Sequence, residues 1–163
     1  MTSTEASFDE LVAQLDYSML IVTTAADGER AGCLIGFATQ TSIHPPRFLA
    51  CLSIKNHTFR VAQRAAVLIV HFVGVDDQAL AELFGGRTGD EIDKFALVDW
   101  RPGPHGAPVI TALHNWFAGR ILHRYDFGDH HGFLLEPIDG EAERGEETLT
   151  FHRAKRIEPG HEP

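Results

Sequence analysis

Short runs of β-branched and aromatic residues recur along this chain without any regular alternation with helices. Met19 to Thr24, Phe48 to Ile54, Val67 to Val73, Ala112 to Tyr125 and His130 to Ile138 read as strands, and Arg30 to Ser42 as a strand or a bent pair of strands. Turn signals divide them: Ala26-Asp27-Gly28, His44-Pro45-Pro46, and Asp126 to Asp129. A doubly wound parallel sheet needs a helix between successive strands, so that class is a poor fit. The pattern predicts a mainly β fold, a closed or partly closed antiparallel barrel with inserted helices.

The helices are few. Ser7-Phe8-Asp9-Glu10 reads as a capping box, followed by an apolar face of Phe8, Leu11, Val12 and Leu15. Asn56 or its neighbours can cap a helix carrying Phe59, Ala62 and Ala66. Asp76 starts an amphipathic helix with Leu80, Leu83 and Phe84, stopped by Gly85-Gly86. Thr88-Gly89-Asp90-Glu91 is a second capping box, so a short helix should carry Lys94-Phe95. Trp100 to Pro108 reads as a loop, Asp139 to Glu147 as an acidic loop, and Thr148 to His152 as a last short strand. One domain over 1–163 is expected, with an ordered core at 7–157 and a frayed tail at 158–163.

The net charge of −9 argues against broad binding to nucleic acid or anionic membranes, which need a basic surface. The longest apolar runs, such as Ala65 to Val70, are too short to span a bilayer. The N-terminus lacks the basic start and apolar core of a signal peptide, so cytoplasmic residence is the expectation. Cys33 and Cys51 lack C-x-x-C spacing and read as reduced thiols. No metal site is expected: His130 and His131 are adjacent, so on a strand they face opposite ways.

Two polar clusters stand out. The run from Cys51 to Thr58 ends a strand at small polar residues, one lysine and a helix start. Ser53, Lys55, Asn56 and Thr58 can therefore offer donors and charge to a phosphate. Read alone, so short a pattern favours a helix cap with a solvated lysine. Gly36-Phe37-Ala38-Thr39-Gln40 can bring strand-edge amides close to a planar ring, or can be a β-bulge with a core phenylalanine. His130, after Gly128-Asp129, is either a cavity-facing donor or a strand-end residue bonded to Asp129. Together these clusters suggest a barrel that holds a phosphate-bearing aromatic cofactor. No Gly-x-Gly-x-x-Gly fingerprint or Gly-x-Ser-x-Gly elbow is present.

With these residues in order, the chain resembles the flavin reductase-like family over about Phe8 to Arg156. The landmarks are Val22-Thr23-Thr24 before a Gly turn, Ala31-Gly32, Pro45-Pro46, Cys51-Leu52-Ser53 with Asn56-x-Thr58, and Leu80 to Phe84 running into Gly86-Arg87. Asp93-Lys94-Phe95 with Asp99-Trp100, Gly106-x-Pro108-Val109, Gly128-Asp129-His130 and Leu149-x-Phe151 complete the set. The resemblance implies a six-stranded antiparallel split barrel of Greek-key type and a homodimer. It implies NAD(P)H-dependent reduction of FMN or FAD, possible supply of reduced flavin to a separate monooxygenase, or alternatively non-catalytic flavin binding or storage.

The site residues implied are Gly36, Phe37, Ala38, Thr39 and Gln40 at the isoalloxazine, and Ser53, Lys55, Asn56 and Thr58 at the phosphate. Lys94 and Phe95 would approach the flavin, and His130 would sit as the catalytic residue where the nicotinamide of NADH or NADPH docks. One departure is visible: where many members carry a Ser-Ser-Phe-Thr-like run, this chain has Gly36-Phe37-Ala38-Thr39.

Overall fold

The computed structural model describes residues 2–86, 92–155 and 157. The expected capping box at 88–91, the Arg87 landmark and the tail at 158–163 lie outside the described residues.

Nine strands form. They are β1 (Leu20–Ala26), β2 (Glu29–Ile35), β3 (Ala38–Ser42), β4 (Arg47–Ser53), β5 (Val67–Phe72), β6 (Trp100–Pro102), β7 (Pro108–Ile110), β8 (Trp116–Asp126) and β9 (His130–Glu141). Seven make one sheet in the order β2-β1-β5-β8-β9-β4-β3, antiparallel in every described pairing. The fold is thus mainly β, as expected.

The count of six strands needs one correction. The run from Arg30 to Ser42 breaks at Gly36-Phe37, and its two halves lie at opposite edges of the ladder. β2 pairs with β1 and β3 pairs with β4, so a two-residue link spans both edges. Two residues reach only about 7 Å when extended, which obliges the sheet to curl. Consistently, β2 and β4 approach one another although four strands separate them in the ladder. Among the described residues no hydrogen-bonded ladder pairs β2 with β3 or β4.

Strand alternation sorts the side chains. Leu20, Val22, Cys33, Ile35, Leu52 and Phe133 are among those that meet inside the curled sheet. Helix α2 (His57–Ala62) adds Phe59 and Ala62 to that cluster. On the outer face, Met19 and Ile21 meet Phe84 of helix α3 (Gln78–Gly86), Phe95 and Leu149. A third cluster joins Val67 and Ile69 to Val109 and Trp116. His71 ties these layers together. Its Nδ1 donates to the Ile21 carbonyl at 3.0 Å, and its Nε2 accepts from the Ile110 amide at 3.0 Å. A carbonyl can only accept and an amide only donate, so the neutral tautomer follows. Burial pushes the His71 pKa down to about 4.

Local structure follows the turn chemistry. Asp27 and Gly28 adopt φ of 52° and 79°, closing the β1–β2 hairpin as the Asp-Gly pair suggested. Helix α1 (Ser3–Val12) starts five residues earlier than the Ser7 box implied. Thr2 accepts from the Glu5 amide and Glu5 accepts from the Thr2 amide. Its apolar residues Phe8, Leu11 and Leu15 remain exposed. The expected strand at Thr148 to His152 is reduced to bridges from Thr148 to Gly74 and Thr150 to Ser18. Helix α4 (Phe151–Ala154) begins directly after them. The expected loop at Trp100 to Pro108 contains the small β6–β7 hairpin. No helix among the described residues is long and apolar enough to cross a membrane.

Candidate functional site

The β4–β9 register sets Ser53 opposite His130 and Leu52 opposite His131. The Ile54 amide continues the contact with a 2.9 Å bond to the Asp129 carbonyl. The two polar clusters of the sequence are therefore neighbours at one end of the sheet. The third segment joins through the Phe37 carbonyl, which accepts from the Cys51 amide at 2.9 Å. Strand ends thus position Ser53 and His130, and the two-residue link between β2 and β3 holds Phe37 beside them.

Within this group the chemistry is specific. His130 Nδ1 lies 2.7 Å from Asp129 Oδ1; the carboxylate accepts, so Nδ1 carries the proton. That bond holds the Asp129 carboxyl below its usual range, and the Lys55 charge adds to the effect. The His130 ring also meets Phe37 with centroids 4.9 Å apart and planes tilted by 50°. His131 faces the other way: it lies edge-on to Phe59 at 4.8 Å, and its Nε2 is 3.4 Å from Asp126.

Asn56 caps α2 by accepting from the Thr58 amide at 3.0 Å. Lys55 and Ser53 precede it, and the Lys55 amide lies 3.4 Å from the Ser53 hydroxyl. Thr58 itself is 1% exposed and bonds toward Cys33. Its hydroxyl is directed at the core. Of the ring-edge segment, Ala38, Thr39 and Gln40 pair with Ala50, Leu49 and Phe48 in β4. Gly36 lies under the Tyr17 ring, where an added Cβ would come within 2.5 Å of it.

Lys94 and Phe95 are not brought to this group. They lie in a short 3-10 turn, Lys94–Ala96, capped by Asp93 on the Phe95 amide. Lys94 is 4% exposed and donates to the carbonyls of Gly32 at 3.0 Å and Phe84 at 3.1 Å. Burial holds its ammonium below the ordinary lysine value, against the pull of the nearby Cys33. Burial likewise pushes the Cys33 thiol up. Phe95 packs against Phe84 and Trp100 in the outer cluster. Beside them opens a cleft lined by Glu29, Arg30, Gly32, His57, Asp93 and Lys94. Among the described residues no group of three or more His, Cys, Asp or Glu is arranged to hold a metal.

Tyr17 is the residue that sequence reasoning missed. It stacks on Phe151 at 4.8 Å and meets Phe37 at 6.3 Å. Its only local signal was an aromatic just before β1; the partners lie far along the chain.

Comparison with known proteins identifies the family. Residues 12–159 match the family described as flavin reductase like domain. An FMN reductase (NADH) RutF of Methylorubrum extorquens is 31% identical over 93% of this chain and 73% of its own length. Another RutF, from Agrobacterium fabrum, is 30% identical over 96% of this chain and 91% of its own length. A flavin reductase domain protein from Arthrobacter shares the fold with a TM-score of 0.81, at 24% identity over 91% of each chain. The Streptomyces globisporus NADH:FAD oxidoreductase SgcE6 also superposes with a TM-score of 0.81, at 23% identity over 90% of this chain and 87% of its own. The chain belongs to the flavin reductase-like family.

Proposed function

We propose that this protein is an NAD(P)H-dependent flavin reductase that passes hydride from a nicotinamide to FMN, with FAD as the alternative flavin. The observation that carries the reading is the Ser53–His130 register. It places the phosphate-type segment directly beside the Gly128-Asp129-His130 turn. The RutF relatives are FMN reductases (NADH), which supports the choice of flavin and reductant. The curled sheet is read as a split barrel whose seam is the β2–β3 link. Phe8, Leu11 and Phe127, all exposed, support the reading of a homodimer.

The side chains suit a flavin. Ser53 and Lys55 offer a hydroxyl and a cation for a phosphate, and Asn56 holds the turn that aims them. The first residues of β3 bring backbone amides to the same end of the sheet. Thr58 supports this cradle from the core, while Lys94 and Phe95 lie apart from it in the outer layer. A bound flavin would supply the hydride acceptor. The chain's own part is to orient the reactants and exclude water. Asp129 fixes the His130 tautomer, so that Nε2 is the remaining ring nitrogen available to a ligand. Hydride transfer needs no general base, so His130 positions and balances charge.

Anaerobic stopped-flow mixing with NADH or NADPH tests the reading. The flavin absorbance of the loaded protein should bleach faster than free flavin in the same buffer. Tight flavin binding without such acceleration would mean a storage protein.

A further inference from the structure

Phe37 sits in the two-residue link between β2 and β3, and its side chain is 54% exposed. Its neighbour Ala38 packs against the inner cluster, while Phe37 stays exposed at the sheet end that carries Ser53 and His130, the mouth of the candidate site. The backbone there is fixed by the bond from the Cys51 amide to the Phe37 carbonyl. The phenyl ring is backed by Tyr17, itself anchored on Phe151. Gly36 permits this, because any side chain there would strike the Tyr17 ring. On its other flank Phe37 meets His130 at 4.9 Å. The result is a supported aromatic surface beside the candidate histidine. The tilt of 50° between the two rings makes them walls of a shallow wedge.

We infer that Phe37 is the specificity-determining platform for the nicotinamide ring of the reductant; this rests on the reductase reading above. An exposed phenyl face gains by being covered with a planar body. It also attracts positive charge through its quadrupole. The nicotinamide is planar, and it becomes a pyridinium cation as it gives up hydride. The Phe37 face therefore favours the charge that develops on the ring during transfer. The resemblance sets Phe37 at the isoalloxazine; its contact with His130 moves it to the nicotinamide, and the flavin keeps candidate anchors in Ser53 and Lys55.

The test uses the full chain with Phe37→Ala and Phe37→Tyr. FMN affinity is read by fluorescence titration, NAD⁺ affinity by equilibrium dialysis, KM by steady-state NADH oxidation, and size by light scattering. Phe37→Ala should raise the NAD⁺ dissociation constant and the NADH KM about tenfold while FMN affinity stays within about twofold. Phe37→Tyr should restore both values, because the aromatic face is kept. A loss of FMN affinity with NAD⁺ binding unchanged overturns the assignment and gives Phe37 to the flavin. A change in molecular size overturns it in favour of a subunit contact, and unaltered binding of both ligands overturns it outright. A wild-type protein that binds FMN but is not reduced by NADH fails the reductase reading itself, a result seen before any variant is made.

Discussion

The molecule holds two histidine–lysine sets that behave differently. His71 and Lys94 are buried, and each satisfies its polar atoms on backbone groups of other elements. His130 and Lys55 lie at the mouth, where the neighbour common to both is the exposed Asp129 carboxylate. Backbone partners fix a side chain for as long as the fold lasts. Side-chain partners at a surface can be exchanged for a ligand at small cost. The same two residue types thus serve as struts in one region and as candidate ligand contacts in the other, and burial decides which.

The largest test of that contrast is Lys94→Met. It strips the donor from two carbonyls and should lower stability by about 2–4 kcal/mol, since each orphaned buried acceptor costs about 1–3 kcal/mol. Chemical denaturation measures it. Weakened flavin binding with unchanged stability would move Lys94 into the ligand set and dissolve the comparison.

Acid should expose the other strut. His71 has a folded pKa of about 4 against 6.5 for the ordinary group. The unfolded chain takes up a proton in that interval and the folded chain does not. The stability His71 contributes is therefore complete above pH 6.5 and is lost as pH falls toward 4, by about 3 kcal/mol in all. Denaturation midpoints of wild type and His71→Asn at pH 7.5 and 4.5 check this. The wild type should lose more between the two pH values than the variant does.

At the mouth the effects should fall on ligands. His130→Ala should lower kcat/KM for NADH about tenfold, a loss of about 1.4 kcal/mol, with the melting temperature preserved. Ser53→Ala should be the mildest, weakening FMN by about 1 kcal/mol, the scale of one exposed hydrogen bond to an anion. A drop in apo-protein stability with either variant would place that residue among the struts.

The sequence showed the strands because their signals are local. Asp27-Gly28 demanded a positive-φ turn, and Gly128-Asp129 separated the two long strands. The nearness of the two polar clusters was also legible, since Ser53 and His130 sit at strand ends that pairing then brings together. What could not be read depends on distant partners. The Ser7 box reads as the helix start, but the structure caps the helix at Thr2, and nothing local marks that choice. Thr58 and Lys94 carry polar groups suited to a phosphate, but the packing of Cys33, Gly32 and Phe84 turns them inward. His71 gave no signal at all, because its partners lie 50 and 39 residues away in the chain.

The seam at Gly36-Phe37 has a consequence for the behaviour of the protein in a crowded solution. An open sheet presents two unpaired edges, each a template on which another chain can add a strand. Here both terminal strands of the ladder belong to one continuous stretch of chain, and they are only seven and five residues long. Curling draws each edge toward the body of its own sheet, leaving little backbone for a stranger to join. A nick in that short link would release both halves at once, so the bond between β2 and β3 also guards the chain against edge-to-edge aggregation.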